Sequence, residues 1–477
     1  MAQIWTILAY LLAAALFIVG IRRLRTPETA RSGNTLAALG MIIALVATFF
    51  VPDFTENLSR SINILGIAVG CLLGGVVGAF SAQRVPMTAM PQMVATFNGL
   101  GGGAIALVAL SEFYQGRATS GVAVITALFT IIIGSVSFLG SVVAVSKLQE
   151  IAFSGSVAFP GQQVVNAIIF LVILALSANV ISGGTIANAV GLSFLTPFLS
   201  ILILLVASLV LGFLFVIPIG GADMPVVISL LNAFTGLAAA ASGFVLQNYA
   251  LIISGTLVGA SGTILTRQMS SSLGRPLGSI VFQGLVAAGG AREEQEEREV
   301  NDVSAEDVGS YLKNEAEKVV MVPGYGLAAA QAQNAMHDLM QTLENEGKEV
   351  KFGIHPVAGR MPGHMNVLLT EADIPYEKLY DMEDINPEFD ETDAVIIAGA
   401  NDVVNPVARD TEHQSAISGM PILDVDHAKR VIFVKRSLSP GFAGVDNDLF
   451  YDQDKTMMLF SDANQGLQDI TEAVRNA

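Results

Sequence analysis

Nine apolar runs, each close to the roughly 20 residues that a helix needs to cross a bilayer, dominate the first part of this chain and leave only short polar loops between them. They lie at about 4–21, 34–51, 61–80, 89–111, 121–145, 163–181, 193–217, 224–246 and 248–270. Charge divides the chain at the same place. Residues 1–290 hold ten Lys or Arg and six Asp or Glu, net +4, whereas 291–477 hold 15 and 36, net -21. Two bodies in two solvents are implied: a membrane bundle, then an acidic soluble domain large enough to bury its own core. That acidity argues against nucleic acid or anionic lipid headgroups as general partners. Cys71 is the one cysteine of the sequence and sits inside an apolar run, so no intrachain disulfide forms and no oxidising compartment is implied.

Loop charge sets the orientation. "RRLRTPETAR" after the first run, Arg84, Lys147, Arg267 and Arg275 put eight of the ten basic residues on one side, and Arg60 and Arg117 on the other. The positive-inside rule then makes the C-terminal domain cytoplasmic and leaves the N-terminus outside, in agreement with an odd number of spans. The opening "IWTILAYLLAAALFIVG" reads as a retained first helix and not as a signal peptide, because its positive cluster follows the apolar run. Gly66, Gly70, Gly74 and Gly78 line one face of the third run, a pattern that predicts close backbone packing.

Polar groups in the spans are few. Asn98, Ser141 and Asn232 lie in or near mid-span, and Asp223 opens the eighth in "GGADMPVVISLLN". An acid at the mouth of a span marks either an ion or proton route or a helix cap, here with Pro225 in the first turn. Asn98, Ser141 and Asn232 read either as interhelical hydrogen-bond glue or as the lining of a proton-relaying water chain. All five histidines belong to the soluble domain. No metal site is expected.

The junction "AREEQEEREVNDVSAEDVGSYLKNEAEK" begins as a solvated linker, and Ser304 with Asp307 then offers a helix start before Leu312. "KVVMVP" reads as a buried strand. Gly324 and Gly326 permit a tight turn with close phosphate approach, and Ala329 is small enough for the next helix to pack on the sheet. That helix is expected to run to about Glu346 and stop at Gly347, before the strand "EVKFGIH". Inside such a strand-turn-helix-strand unit the GxGxxA spacing is a dinucleotide fingerprint, with an ordinary glycine turn as the alternative. An NAD-preferring site places an acid near the end of the second strand, but "GIHPVAGRMPGH" offers basic groups and no carboxylate. Two strands follow, "AVIIAG" and "PILDV", and a last one, "RVIFVKRS", delivers Lys435, Arg436 and Ser437 at its carboxyl end. Two cations beside a hydroxyl suit a 2′-phosphate, solvated basic residues being the alternative. The cofactor inferred is NADP.

Five motifs in this order, "GGADMPVV", "PGYGLAAAQAQ", "KFGIHPVAGRMPGHMNVLL", "GANDVVNP" and "VKRS", resemble the beta-subunit family of the proton-translocating nicotinamide nucleotide transhydrogenases over nearly the whole chain. The resemblance implies a polytopic α-helical membrane bundle of about nine transmembrane helices (1–275), an acidic linker and short helix (276–317), and a soluble α/β Rossmann-like NADP(H)-binding domain with a parallel sheet (318–477). It implies that NAD(H) is bound by a partner alpha subunit of one or two chains, in a dimer of heteromers in the cell's inner membrane. Carried over by residue, the pyrophosphate turn is Gly324, Tyr325, Gly326 and Ala329. The loop Val357, Ala358, Gly359, Arg360, Met361 and Pro362 lies along the nucleotide. Gly399, Ala400, Asn401, Asp402 and Val403 approach the nicotinamide side, with Asn401 and Asp402 on the catalytic side and Asp402 the acid of coupling. Lys435, Arg436 and Ser437 take the 2′-phosphate. "SPGFAGVDN" resembles the mobile lid, with Gly441, Phe442 and Ala443 on the cofactor; relatives commonly carry Tyr where this chain has Phe442. Asn98, Ser141, Asp223 and Asn232 match the family's proton route. A well-known version has His at the place of Asn98, and an amide does not titrate near neutral pH, so the proton-binding group lies on an alpha-subunit helix or a bound water. The rival class is an ion channel or transporter gated by a nucleotide-sensing domain, although no filter sequence such as TVGYG is present. A membrane-tethered NADP enzyme would not need nine spans.

Overall fold

The computed structural model describes residues 2–24, 26–50, 61–86, 89–118, 120–149, 151, 157, 159–220, 223–272, 277–278, 298–359, 363–410, 415, 417–439, 441 and 443–477. Arg360, Met361, Pro362 and Phe442, and the loop residues Arg60 and Arg275, lie outside them. The chain divides into two compact units, residues 1–219 with 227–266, and residues 220–226 with 267–477.

Among the described residues nine helices are long and apolar enough to cross a membrane. They are α1 (Ala2–Arg23), α2 (Pro27–Thr48), α3 (Ser61–Arg84), α4 (Met90–Tyr114), α5 (Gly121–Leu148), α6 (Gln162–Ile181), α7 (Pro197–Val216), α8 (Met224–Val245) and α9 (Tyr249–Ser272). Small residues bring the backbones together where no hydrophobic force between helices is available. A Cβ at Gly134 on α5 would stand 2.6 Å from the Gly102 carbonyl on α4, and one at Gly212 on α7 would stand 2.5 Å from the Val136 carbonyl. The glycine row of α3 departs from the packing expected of it. A Cβ at Gly66, Gly70, Gly74 or Gly78 meets nothing within 4 Å, and none of residues 65–84 of α3 is buried among the described residues.

The soluble unit is built on a six-stranded parallel sheet, order β3-β2-β1-β4-β5-β6. Its strands are β1 (Lys318–Pro323), β2 (Glu349–Ile354), β3 (Leu379–Asp381), β4 (Ala394–Ala398), β5 (Arg430–Lys435) and β6 (Thr456–Phe460). Val, Ile and Phe fill β1, β4 and β5 almost without interruption, as strands buried on both faces require. The order reverses direction between β1 and β4, and ligands of such sheets collect beyond the carboxyl ends at that point.

Three expectations need correction. "PILDV" at 421–425 is not a strand: Leu423 N donates to Val403 O and Asp424 N to the Asn386 side chain, so its backbone bonds go to loops instead of a ladder. β5 is not the last strand, because "TMMLF" forms β6 beside it. The helix after Gly324 is two pieces, Tyr325–Ala329 and Gln333–Asn345, parted at Gln331, whose φ is 51°. With that break the buried small residue is Ala328, whereas Ala329 is exposed.

Residues 301–303 run along the outer side of β6. Met458 N donates to Asn301 O at 2.8 Å and Val303 N to Met458 O at 3.0 Å. The expected helix start follows as a reciprocal capping box: Ser304 Oγ accepts from Asp307 N at 3.2 Å, and Ser304 N donates to Asp307 Oδ2 at 3.2 Å. The capped helix, Ala305–Asn314, buries Val308 and Leu312, and its Gly309 closes on Ala473 of the final helix, Ala463–Asn476. Ser304→Ala removes one half of the box and is expected to cost about 1 kcal/mol. Faster backbone hydrogen exchange confined to 305–314 checks this; unchanged protection there counts against it.

Candidate functional site

Two glycine turns interlock at the reversal point. Gly324 N donates to Ala398 O at 2.9 Å and Gly326 N to Gly399 O at 2.8 Å. Gly399 adopts a φ of 68°, and a Cβ there would run into Gly326 Cα and Leu327 N. A Cβ at Gly324 would equally strike Gly399 O and Ala400. Both glycines of the GxG pair are thus required by the crossing of the β1 and β4 turns. That crossing fixes the backbone leading into Ala400, Asn401 and Asp402.

Beyond the crossing, the segment after β5 is bound to the segment after β4. Ala443 N donates to Asp402 Oδ2 at 3.0 Å, while Asn401 Nδ2 donates to Asp402 Oδ1 at 3.3 Å. Gly441 packs so close over the Asp402 carboxylate that any Cβ there would overlap it. Asn447 Nδ2 donates to Asn401 Oδ1 at 3.2 Å, and Asn405 Nδ2 donates to Asp446 O at 2.8 Å. Asn405 and Asn447 are both 0% exposed. Sequence reasoning gave no role to Asn405, Asp446 or Asn447. The available signal was Asn405 before Pro406, a pattern that favours an Asx turn, and Asn405 Oδ1 does accept from Val407 N at 3.1 Å.

The cationic group lies at the end of β5. Lys435 Nζ stands 4.4 Å from the Phe450 ring centre and donates to Ser439 O at 2.5 Å. Burial pushes its pKa down to about 8, opposed in part by the charges of Asp402 and Asp446. No carboxylate of the described residues lies within 4.0 Å of it. Arg436 and Ser437 are exposed beside it, and Ser437 Oγ donates to Ser439 Oγ at 2.9 Å. Hence a desolvated ammonium, a solvated guanidinium and a hydroxyl stand together.

The loop after β2 differs in charge from its sequence reading. His355 is buried, donates through Nε2 to Pro421 O at 2.8 Å and accepts at Nδ1 from Val357 N at 3.3 Å. Burial lowers its pKa to about 4, so the ring is neutral and serves to anchor the loop Val357, Ala358 and Gly359. The basic character expected there does not come from His355. Gly359 turns at a φ of 100° against the His364 ring. Val403 is half-buried below Asp402, and Tyr325 is half-buried at the β1 turn.

In the membrane unit Asn98 and Ser141 do come together. Asn98 Nδ2 donates to Ser141 Oγ at 3.0 Å and to Ser137 Oγ at 3.3 Å. Ser137 Oγ then donates to Leu231 O at 2.9 Å and lies 2.6 Å from Thr235 Oγ1. These hydroxyls join α4, α5 and α8 into one polar strand of side chains. The sequence reading missed Ser137 and Thr235, although Ser137 is four residues before Ser141 and therefore on the same helix face. Asn232 is half-buried and makes no side-chain hydrogen bond to the described residues. Asp223 is 3% exposed and immediately precedes α8.

The comparisons with known proteins agree with one another. A family model described as NAD(P) transhydrogenase beta subunit matches residues 6–473. A protein of Rhodospirillum rubrum called NAD(P) transhydrogenase subunit beta is 42% identical over 483 residues, which cover 98% of this chain and 99% of that protein. A second sequence of the same name, from a particular strain of that organism, matches to the same extent.

Proposed function

Because the chain belongs to the NAD(P) transhydrogenase beta-subunit family, a multi-pass membrane protein of that enzyme class, we propose that it is the NADP(H)-binding half of a proton-coupled transhydrogenase. In this reading an alpha subunit of one or two chains holds NAD(H), hydride passes from NADH to NADP+, and protons move through the membrane unit into the cytoplasm. The soluble unit is then cytoplasmic and the N-terminus outside, as the loop charges favour. The observation that carries the proposal is Lys435, a half-buried ammonium without a carboxylate at ion-pair distance among the described residues, beside Arg436 and Ser437. This donor set suits a phosphate dianion, which accepts paired bonds from Arg and a point charge from Lys. When bound, NADP(H) supplies the nicotinamide that gives or takes the hydride, and the chain supplies position and electrostatics.

Asp402 is the group through which binding answers to the membrane. It accepts from the backbone of the segment above it and from Asn401, so a change in its charge alters how firmly that segment closes. The polar strand from Asn98 to Thr235, together with Asp223 and Asn232, is the proposed proton route. Two nicotinamide couples differ little in potential, so the drive must come from the proton. One proton crossing about 150 to 200 mV releases about 3.5 to 4.5 kcal/mol. At about 1.4 kcal/mol per tenfold, that shifts the product ratio by about two to three decades. Coupling of this kind acts on nucleotide affinity and is reciprocal.

The test is transhydrogenation of an NAD analogue by NADPH in sealed vesicles holding the purified complex, with and without an uncoupler. Hydride transfer with no proton movement overturns the coupled reading. Lys435 adds a pH prediction. Its folded pKa, about 8, lies below the 10.5 of a free lysine. Without ligand, the folded state therefore gains stability as pH rises from about 8 towards 10.5, where the unfolded chain still holds the proton. Bound phosphate favours the charged amine, so NADPH affinity should fall above pH about 8, by up to about tenfold per unit. Titrations of NADPH fluorescence from neutral to alkaline pH check this, with Lys435→Gln expected to flatten the profile.

A further inference from the structure

The acidic junction re-enters the described structure at Arg298, and among the described residues the ion pairs and the ring contact of that side chain go to the base of the segment over Asp402. Arg298 Nη1 bonds Asp448 Oδ1 at 2.9 Å, and Nη2 stands 3.5 Å from Asp446 Oδ2. Its guanidinium carbon lies 4.3 Å from the centre of the Tyr451 ring. Tyr451 in turn donates its hydroxyl to Asp446 Oδ2 at 3.1 Å, and the Asp446 carbonyl accepts from Asn405 at 2.8 Å. One residue on, Asn447 reaches Asn401, which bonds Asp402. A continuous series of hydrogen bonds, an ion pair and one ring contact thus runs from the end of the junction to the acid of the site. Three residues beyond Arg298 the chain is fixed on β6 through Asn301 and Val303, so the arginine is held at a defined height above Tyr451.

We propose that Arg298 is a positioning residue: it ties the end of the junction to the base of the lid and thereby sets how long the lid stays closed over NADP(H). The inference rests on the reading of 439–447 as that lid. Its logic is geometric. The junction is the covalent route by which the chain passes from the membrane spans to the nucleotide fold, and Arg298, the first described residue at its end, touches the base of the lid. Lysine cannot replace it fully, because one ammonium cannot lie over the ring and bond both carboxylates in a fixed fork.

The experiment uses the full complex with its alpha subunit, loaded with NADPH, and follows the fall of bound-NADPH fluorescence after excess NADP+ is added. Arg298→Gln is expected to speed release about 3- to 10-fold, within the range for a link in a coupled network. Arg298→Lys should restore part of the slow release. Lys318→Gln, which removes an exposed ion pair to Glu391 far from the lid, should leave release unchanged. Equal release from wild type and Arg298→Gln overturns the inference, as does an equal acceleration by Lys318→Gln. Wild-type complex that fails to retain NADPH at all would instead sink the NADP(H) reading itself, so the two failures are told apart.

Discussion

Exchange of Lys435 and Arg436 together for glutamine is expected to weaken NADPH binding by about 100-fold or more while leaving the weak binding of NADH nearly as it was. The size follows from the chemistry: charge-assisted hydrogen bonds are worth about 1.5 to 3 kcal/mol each, and two are lost. The selectivity follows from the proposed role, in which the two cations at the end of β5 meet the 2′-phosphate that NADH lacks. Lys435→Gln alone carries an opposing effect. It removes a desolvated charge, so the empty domain should become slightly more stable as its nucleotide affinity drops. Isothermal titration with NADPH and NADH measures the two affinities, and thermal melting without nucleotide measures the stability. Parallel loss for the two nucleotides would move the phosphate site elsewhere.

Gly399→Ala is expected to cost the soluble unit roughly 3 to 5 kcal/mol, the sum of a left-handed backbone that disfavours a side chain and an overlap with backbone that cannot yield. That is a large share of the 5 to about 15 kcal/mol by which domains are stable. The overlap falls on Gly326 Cα and Leu327 N, so the interlocked turns must separate and NADPH binding should be lost with stability. Gly419 isolates the two causes. Its φ is 78° but a Cβ there meets nothing within 4 Å, so Gly419→Ala should cost only about 1 kcal/mol. Thermal melting of the two variants in the complex decides the point, and equal melting temperatures would mean that the crossing of β1 and β4 contributes little.

What the sequence made legible follows the range of the forces involved. Membrane spans are visible because hydropathy is a local sum, and the nine expected runs correspond to the nine long helices of the described residues. β1, β4 and β5 are visible for the same reason, as runs rich in β-branched residues, and β2, "EVKFGI", by its alternating Val350, Phe352 and Ile354 after the stop at Gly347. "TMMLF" lacks that signature: two methionines and a leucine suit a helix as well, and only pairing with β5 makes it β6. "PILDV" has the signature yet is not a strand, because Leu423 and Val425 are buried from a loop and the backbone bonds go to Val403 and Asn386. The site shows the same division. Glycines and cations at strand ends are local facts, whereas the lid's attachment depends on Asn405, Asp446 and Asn447, some 40 positions apart, meeting in space. His355 shows why residue type alone misleads on charge, since its burial beside Pro421 removes the proton that its identity suggests.

The pairing of Asn301 and Val303 with Met458 also bears on how this half of the molecule is handled in isolation. An uncovered outer strand is a template for joining other chains, and here the last few residues of the junction act as its guard rail. Expression trimmed to begin after Val303 should therefore yield protein that self-associates through β6, whereas a start a few residues upstream of Arg298 should stay monodisperse.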